Sequence, residues 1–528
     1  MKTDFLNALK EMDNFTLTEN GAVALNSTGN AVLDAFGSLA AMKFSDEEDI
    51  LDTFYQAFYA DKKLAMRLLF YVRDIRGGQG MRRVFRVIVE DLAFKHPDLI
   101  VKNLDNFLFF GRGDDVLCLL DTPVEEDVYK WIADVLSEDI ASCREGKYPS
   151  LLAKWLPSEN ASSAITRMYA RKIMLGLDIT PRLYRKTLSK LREKIGIVET
   201  LMSQNRWTEI NFENLPSRAA MIYSDAFMRH VKDLYIDYFK KLAAGDAKVN
   251  AGALFPVDIV HKVFEKLSTT NLKDIYLLDA MWKALPNYFG DTQETGLCVV
   301  DTSGSMYGTP LEVAISLGMY CADKAKGPFH NNFITFSREP KLQTIYGENI
   351  FEKVRGLKNA EWEANTDLEK VFDLILNTAV ANHLPQEDLP SKLYIISDMQ
   401  FDCARGETSN IWFRNIGEKP KPFMEVMKEK YAKYGYTMPA IVYWNVRASD
   451  CGMFQDTFEG ERCAMVSGYS PSLFKSIIDG TEYETEVIEI VNHTTGEVET
   501  KTVTKQKINP IEVMMKTLMN ERYDRVLV

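Results

Sequence analysis

"LCVVDTSGSMYGTP", residues Leu297 to Pro310, is the stretch that decides the fold class of the second half of the chain. Four apolar residues, typical of a buried strand, run directly into Asp301, and a Thr-Pro pair then precedes a helical pattern. A buried strand followed by a loop and a helix is the building unit of a parallel sheet with helices on both faces. Ligands bind such sheets at the carboxyl ends of the strands, so this loop is a candidate ligand-binding loop.

Strand-like and helical patterns alternate through the chain after Gly290. The apolar runs are "GLCVVD", "NNFITFS", "SKLYIISD", "PAIVYWNV" and "RCAMVSG", and the helical patterns cover Leu311 to Lys326, Thr366 to Leu384 and Pro422 to Tyr434. The later stretch "ETEVIEIVNHTTGEVETKTVTKQ" alternates around a Gly-containing turn, which indicates a β-hairpin, and a helix from Pro510 to Arg522 follows. We therefore predict an α/β domain over residues 293–480 and a hairpin with a helix over 481–528.

Residues 1–292 carry helical periodicity almost throughout. In "DEEDILDTFYQAFYADKKLAMRLLFYVRDI" apolar residues recur every three or four positions, and strand-like alternation is scarce. Pro181 suits the first turn of a helix, and Gly245 suits the end of one. Successive helix pairs over this length predict a solenoid-like or ring-like helical array. The fold class is thus multidomain, α plus α/β.

The loop that opens this section carries hard oxygen donors. Asp301 supplies a carboxylate and Ser303 and Ser305 supply hydroxyls, while Thr366 and Asp398 stand at two further strand-end or helix-start positions. Oxygen donors without His or Cys suit Mg²⁺, Mn²⁺ or Ca²⁺, and the small number of carboxylates favours Mg²⁺. Taken alone, the first loop reads equally well as a helix N-cap. A phosphate-binding loop is excluded because the Gly-Lys-Ser/Thr ending is missing.

The order Asp301-x-Ser303-x-Ser305, then Thr366, then Asp398 resembles the metal-ion-dependent adhesion site of the von Willebrand factor A domain. The resemblance implies a Rossmann-like, mainly parallel sheet in which these residues hold one Mg²⁺ or Mn²⁺. It also implies an open coordination position that an acidic residue of a partner protein can fill.

The third loop departs from that family's pattern. The family usually continues Asp-Gly, whereas Met399 follows Asp398 here and Asp402 adds a nearby acid.

Composition bounds the class of protein. The 528 residues exceed one hydrophobic core, which predicts several domains. Seven scattered cysteines without a C-x-x-C pair favour a reducing compartment, and the N-terminus lacks an apolar signal core. No apolar run is long enough to span a bilayer. These features predict a cytoplasmic protein without a membrane partner.

Catalytic groups are scarce in the strand-end loops. The chain has six histidines, and none stands beside a candidate nucleophile in an elbow-like motif. A two-metal hydrolase would need a second cluster of carboxylates. The sequence therefore predicts a non-enzymatic protein.

Two islands of positive charge stand out although the formal net charge is −12, most of it after Gly290. One spans Lys62–Arg86, around "RDIRGGQG", and the other spans Arg167–Lys194. Each is open to two interpretations: a solvated basic face on an ordinary interhelical turn, or a surface that contacts phosphates. The candidate RNA-binding residues are Arg76, Arg82, Arg83 and Arg86 in the first island and Arg171, Lys172, Arg185 and Lys186 in the second.

The segments "RDIRGGQG", "FGRGDDVL" and "LLAKWLPSENASS" resemble the helical module of the Ro ribonucleoprotein, also called TROVE. That module is a ring of HEAT-like helices fused to a von Willebrand A domain, in the same order as here, and the nearest likeness is to a Ro-like family with this two-part layout. The resemblance implies binding of structured small RNA on the outside of the ring and of single-stranded ends in its cavity.

The prediction from sequence is therefore a Ro-like RNA-binding protein of small-RNA handling or ribonucleoprotein assembly, with a divalent-metal site for partner binding and no DNA partner. Two alternatives without RNA stay open. One is a protein-interaction scaffold whose metal captures an acidic residue, and the other is a structural or accessory component of a viral particle.

Overall fold

The computed structural model describes residues 13–269, 271–291, 295–336, 339–358, 367–402, 423–448, 454–457, 459–460, 462–491 and 498–528. The chain forms two compact units. The α/β unit comprises Met1–Ser45, Phe255–Glu265 and Asn287–Asn520, and the helical unit comprises Asp46–Leu254, Lys266–Pro286 and Glu521–Val528. The architecture is therefore α plus α/β, as predicted.

The helical unit is built from helices of 4 to 20 residues. They are α2 (Glu47–Ala60), α3 (Lys62–Arg73), α4 (Arg82–Lys95), α5 (Pro97–Lys102), α6 (Leu104–Phe110), α7 (Glu125–Arg144), α8 (Leu152–Trp155), α9 (Ala164–Gly176), α10 (Pro181–Ile195), α11 (Val198–Ser203), α12 (Ser217–His230), α13 (Lys232–Ala244) and α15 (Leu272–Lys283). Helix α1 (Ala31–Ser38) and most of α14 (Pro256–Lys266) belong to the α/β unit.

Helix α10 illustrates why these residues form helices. The Thr180 side chain accepts a hydrogen bond from the Leu183 backbone N–H at 3.3 Å, which caps the start of the helix, and Pro181 occupies the first turn. Gly196 ends the helix in the left-handed conformation at φ 74°. The buried residues recur at positions 184, 188 and 191, so one stripe packs inward and the other faces carry charge.

Aromatic side chains form the core of the first part of the helical unit. Phe70 and Phe85 have ring centroids 5.6 Å apart, and Phe107 lies 5.1 Å from Phe85. All three rings are almost wholly buried. Their burial from water is the main stabilisation that this part of the unit receives.

The α/β unit contains the strands and the remaining helices. The strands are β1 (Phe15–Leu17), β2 (Val23–Leu25), β3 (Gly296–Val300), β4 (Asn332–Thr335), β5 (Lys341–Thr344), β6 (Lys392–Ser397), β7 (Ala440–Asn445), β8 (Cys463–Ser467), β9 (Thr481–Val491) and β10 (Val498–Ile508). The helices are α16 (Thr309–Lys324), α17 (Ile350–Lys358), α18 (Leu368–Ala381), α19 (Phe423–Ala432), α20 (Ser472–Asp479) and α21 (Pro510–Leu518).

Six of these strands form the main sheet, in the order β5-β4-β3-β6-β7-β8. All neighbouring pairs are parallel except β4 with β5. From the central strand β3 the chain moves to β4 on one side and then returns to β6 on the other. The strand order therefore reverses between β3 and β6, and a doubly wound sheet opens a crevice at the carboxyl ends of such a pair.

Most of the predicted elements of the α/β unit are confirmed. The five apolar runs form β3, β4, β6, β7 and β8, and the antiparallel pairing of β9 with β10 forms the predicted hairpin. The final helix is shorter than predicted, because α21 ends at Leu518 and a separate 3₁₀ turn covers Glu521–Tyr523. Strand β5, helix α17 and the hairpin of β1 and β2 were not predicted.

The first 45 residues belong to the α/β unit, although the sequence places them in the helical domain 1–292. Hydrogen bonds across the chain hold them there. The backbone N–H of Leu25 donates to the carbonyl of Phe454 at 2.8 Å, and Ser467 Oγ donates to the carbonyl of Phe36 at 2.7 Å. Near Asn287 the chain returns to the α/β unit, close to the predicted boundary at residue 292.

None of the helices in the described part of the chain is both long and apolar enough to cross a bilayer.

Candidate metal centre

Asp301 stands at the carboxyl end of β3, at the point where the strand order reverses. Its side chain is fully buried. One carboxylate oxygen accepts a hydrogen bond from the Ser303 backbone N–H at 2.9 Å, and the other accepts from the Ser397 hydroxyl at 2.5 Å. Ser397 is the last residue of β6, so the two central strands together fix the orientation of this carboxylate.

The two serines of the first loop lie close together. Ser303 Oγ and Ser305 Oγ are 3.1 Å apart, in a 3₁₀ turn that begins at Gly304. Thr302 Oγ1 donates to the carbonyl of Phe336 at 2.7 Å, which ties the loop to the end of β4. Two hydroxyl oxygens thus converge beside the carboxylate of the same loop.

Asp398 follows β6 directly and is 2% exposed. Its Oδ1 accepts a hydrogen bond from the Gln400 backbone N–H at 3.3 Å. The intervening Met399 has φ 67°, in the left-handed region that glycine adopts freely and other residues adopt at a cost of about 1–2 kcal/mol. The position where the von Willebrand A pattern carries glycine is thus one where the backbone favours glycine.

The turn between β1 and β2 covers this third loop. The backbone N–H of Glu19 donates to Gln400 Oε1 at 2.6 Å, and Asn20 Nδ2 donates to the Gln400 carbonyl at 2.7 Å. Thr18 Oγ1 donates to the carbonyl of Phe401 at 2.7 Å. The loop that carries Asp398 is therefore held on both sides, by β6 and by residues near the start of the chain.

The electrostatics of the centre are set by two neighbouring buried carboxylates. Burial and the nearby charge of Asp398 raise the pKa of Asp301 to about 6, although hydrogen bonds from Ser397 and Ser303 oppose the shift. Among the described residues, no Lys, Arg or His forms an ion pair with Asp301 or Asp398. Buried like charges without a compensating cation are unfavourable, and a bound divalent ion would remove that penalty.

The donor set fits a small hard cation. Asp301, Ser303, Ser305 and Asp398 offer oxygen atoms, and Thr366 lies outside the described residues. No group of three or more His, Cys, Asp or Glu side chains suited to a metal is present in the described part of the chain. The candidate centre instead combines two carboxylates with hydroxyls, a combination that suits Mg²⁺ or Mn²⁺ with water completing the shell.

Arg447 was not identified from the sequence. It follows β7, the strand next to β6, and one of its guanidinium nitrogens donates to the carbonyl of Ser305. Asn445 Oδ1 accepts from the Arg447 backbone N–H at 3.0 Å. A loop from a third strand end thus contacts the first loop, which the stretch "PAIVYWNV" alone gave no reason to expect.

The first basic island is partly engaged in ion pairs. Arg86 contacts Asp115 at 2.8 Å and Asp114 at 3.2 Å. Arg82 lies 4.0 Å from Asp114 with about half of its side chain exposed, and Arg76 and Arg83 are exposed. Arg86 is thus held closely by the chain's own acids.

The second island divides in the same way. Lys172 forms an ion pair with Asp121, and Arg185 forms one with Glu159. Arg171 and Lys186 are exposed, the first on α9 and the second on α10.

Comparisons with known proteins match two successive regions of the chain. The family model described as "Domain of unknown function (DUF2828)" matches residues 18–111 and 126–289, and the one described as "Domain of unknown function (DUF7788)" matches residues 295–518. "Uncharacterized protein L728" of Acanthamoeba polyphaga mimivirus is 31% identical over 512 residues, which cover 89% of this chain and 86% of the viral protein. The chain belongs to the same family as this viral protein. The region that the DUF7788 model matches, residues 295–518, contains every described residue of the candidate metal centre.

Proposed function

We propose that the α/β unit is a von Willebrand A-like domain that binds one Mg²⁺ or Mn²⁺ and, through the metal, an acidic residue of a protein partner. The supporting observation is the pair of buried carboxylates, Asp301 and Asp398, at the strand-order reversal without a basic partner among the described residues. Ser303 and Ser305 supply hydroxyl oxygens on the same side.

The metal would give the site its binding chemistry. A divalent ion held by few protein oxygens keeps water-filled positions, and a carboxylate from outside can replace one of those waters. Gly304 and Tyr307 of the first loop are exposed, so a partner can reach this edge of the sheet.

Thermal unfolding with and without Mg²⁺ tests this proposal. A ligand that binds only the folded state at 100 times its Kd stabilises it by about 2.7 kcal/mol, so saturating Mg²⁺ should raise the Tm of the native protein. Asp301→Asn should abolish that increase.

The matched control is Asp479→Asn, which removes an exposed carboxylate at the end of α20 in the same unit and should leave the Mg²⁺ response intact. Identical melting curves of the native protein in EDTA and in excess Mg²⁺ would reject the metal site. An equally weakened response in both variants would assign it to general charge effects.

We also propose that the helical unit binds RNA, as the resemblance to the Ro module implies. A stripe on α10 favours this second function. Arg182, Lys186, Lys190 and Lys194 are all exposed and recur every fourth residue, so each step advances about 6 Å along one side of the helix. Such a row can contact successive phosphates of one strand.

An aromatic ring stands beside the end of this stripe. Tyr148 is 80% exposed, and Lys194 Nζ lies 5.6 Å from the centre of its ring. An exposed ring next to a row of cations is suited to stacking with an unpaired base. The substrate favoured by this surface is therefore single-stranded RNA.

Titration of labelled single-stranded RNA at several salt concentrations tests the second function. Removing the cation that neutralises one phosphate should reduce the salt slope by about 0.7, so the double reversal Lys186→Glu with Lys190→Glu should flatten the slope and weaken binding for all sequences alike. The double reversal Lys240→Glu with Lys241→Glu on α13 gives the same change of net charge and should have the smaller effect.

A third double variant, Arg82→Glu with Arg83→Glu, tests the first island in the same assay. Absence of salt-dependent binding by the native protein would leave metal-dependent partner binding as the only proposed function.

A further inference from the structure

The segment Glu521–Val528 lies in the helical unit, against α3, α5 and α6. It begins with a 3₁₀ turn at Glu521–Tyr523 and continues as irregular backbone. Its contacts involve both side chains and backbone, and several of them fall on the "RDIRGGQG" turn.

Arg522 docks on the "RDIRGGQG" motif. Its guanidinium forms two hydrogen bonds with the carboxylate of Asp74, at 2.5 and 2.9 Å, and Asp74 is fully buried. A Cβ at Gly77 would lie 3.0 Å from Arg522 Nε, and a Cβ at Gly78 would lie 2.0 Å from the carbonyl oxygen of Tyr71. Gly77 therefore leaves the space beside this arginine, and Gly78 allows the turn to pack against the backbone of Tyr71.

Tyr523 is the apolar anchor of the segment. Its side chain is 2% exposed, its ring stacks on Phe110 with centroids 5.4 Å apart, and its hydroxyl donates to Asp74 at 3.2 Å. Val526 is the second buried side chain, at 5% exposure. Two anchors three residues apart thus enter a groove lined by Asp74, Asn103, Asn106 and Phe110, while residues 524 and 525 between them are exposed.

Two asparagines hold the backbone of the segment. Asn103 Nδ2 donates to the carbonyl of Leu527 at 2.8 Å, and Asn103 Oδ1 accepts from the N–H of the same residue at 3.0 Å. Asn106 Nδ2 donates to the carbonyl of Arg525 at 3.1 Å. Both asparagines are buried and come from α5–α6. Asn106 Oδ1 also accepts from Arg525 Nε at 2.6 Å, so of these contacts the pair at Leu527 is the one that does not depend on the side chain.

The charges of the groove and the segment are complementary. Asp524 pairs with Arg67 at 2.7 Å, opposite in sign to the pairing of Arg522 with Asp74. The guanidinium of Arg525 lies 3.8 Å from the centre of the Phe109 ring. These partners fix the register of the segment, because a shift by one residue would bring like charges together.

We propose that this groove is a peptide-recognition site of the helical unit, that residues 521–528 are its built-in ligand, and that it accepts the pattern Arg-Tyr-x-x-Val from a second copy of this chain when its own segment is withdrawn. Bidentate arginine recognition, one stacked tyrosine and backbone capture by asparagine are features of peptide binding. The site is independent of the metal centre and of the basic stripe on α10.

Binding in trans is controlled by competition with the attached segment. A tethered ligand acts at an effective concentration of the order of millimolar, so a free peptide at micromolar concentration should bind the native chain poorly. A substitution that weakens the attached segment should open the groove to the same peptide. The proposal therefore predicts a higher affinity for the peptide in the substituted chain than in the native chain.

Fluorescence anisotropy with a labelled peptide of the sequence Glu521–Val528 provides the test. The full-length Tyr523→Ala chain should bind it at least about tenfold more tightly than the native chain does, because the tethered competitor no longer has its anchor. A peptide carrying Arg522→Ala should bind the Tyr523→Ala chain at least about tenfold more weakly than the native peptide, because it cannot form the bidentate pair.

Arg525→Glu gives a second opened chain if the absence of the tyrosine prevents folding, since Arg525 is exposed. Asn103→Leu can be added to the Tyr523→Ala chain or to the Arg525→Glu chain. It should weaken the binding of the native peptide and of a peptide carrying Leu527→Ala by the same factor, because Asn103 binds the backbone. Hydrogen exchange of residues 521–528 in the native chain should accelerate when excess unlabelled peptide is added.

Three outcomes would overturn the proposal. Absence of binding to both opened chains would make the segment a fixed part of the unit. Equal binding to native and opened chains would place the peptide elsewhere, and equal affinity of the native and Arg522→Ala peptides would remove Asp74 from recognition.

Discussion

Buried acidic residues occur in both units, and they are treated in opposite ways. In the helical unit, Asp74 is paired with Arg522, and Asp115 accepts hydrogen bonds from Arg73 at 2.7 Å and Arg86 at 2.9 Å. In the α/β unit, the described residues bring hydroxyl and amide donors to Asp301, and no basic side chain. A buried acid that is paired with an arginine of the same chain is neutralised, whereas one without such a partner would be stabilised by a cation from outside.

The backbone of the two loops shows a second contrast. Gly80 occupies the left-handed position of the "RDIRGGQG" turn at φ 64°, without strain. Met399 occupies such a position in the α/β unit at φ 67° and is also buried. Strain at a non-glycine residue persists where its surroundings enforce it, and it is found most often at functional sites.

The largest expected effect comes from removing the charge of Asp115, the buried acid that is paired with arginines. Asp115→Asn should destabilise the protein by about 3–5 kcal/mol in urea unfolding, because it leaves the buried charge of Arg73 with one partner fewer. Asp114→Asn is the matched control. Asp114 is half-buried and shares Arg86 with Asp115, but its other partners are Arg82 and Arg112, so its substitution should cost about 1 kcal/mol or less. Similar destabilisation in both variants would contradict the structural role assigned to Asp115.

Removing the charge of Asp301 should change the stability in the opposite direction. Without metal at pH 7.5, Asp301→Asn should stabilise the protein by about 1–2 kcal/mol, because it removes a buried charge whose pKa is raised to about 6. The gain stays below the full shift because asparagine cannot accept both existing hydrogen bonds.

The pH dependence follows from the sign of the same shift. Between pH 4 and pH 6 the folded state holds a proton on Asp301 more tightly than the unfolded state does. The stability of the metal-free native protein should therefore fall as the pH rises through about 6, and the Asn variant should lack this slope. Urea unfolding in EDTA at pH 4.5 and 7.5 measures the difference, and a gain at pH 4.5 as large as at pH 7.5 would contradict the assignment.

The smallest expected effect tests whether the left-handed backbone at Met399 is strained. Met399→Ala and Met399→Gly both remove the buried side chain, but only glycine relieves the left-handed backbone. The glycine variant should therefore be more stable than the alanine variant by about 1 kcal/mol in urea unfolding. This is the reverse of the order of the two residues inside a helix. An alanine variant that is as stable as the glycine variant would show that the backbone relaxes.

Local patterns predict the strands, the parallel sheet and the meeting of Asp301 with Asp398, because parallel strands bring their carboxyl ends to one edge. Ser397 and Gln400 escape such reasoning, since hydroxyl and amide side chains at strand ends are common. The partners of Gln400 lie 380 and 381 positions away.

The role that the sequence suggests for the glycine-rich turn differs from the contacts that the structure shows. Its arginines suggest a phosphate-contacting edge in the sequence, and nothing local reveals that Asp74 faces Arg522, 448 positions further along. Complementarity between distant segments has no periodicity, so a single sequence does not contain a signal for it.

The hydrogen bonds between the β1–β2 turn and Gln400 also set an order of events during synthesis. At about 5–20 residues per second, the ribosome needs roughly 20–75 seconds to reach residue 400 after the hairpin has been made. Residues 46–254 emerge as one continuous stretch in that interval and can fold first. A ribosome-bound chain stalled before residue 390 should therefore resist protease across most of the helical unit while its first 45 residues remain open to cleavage.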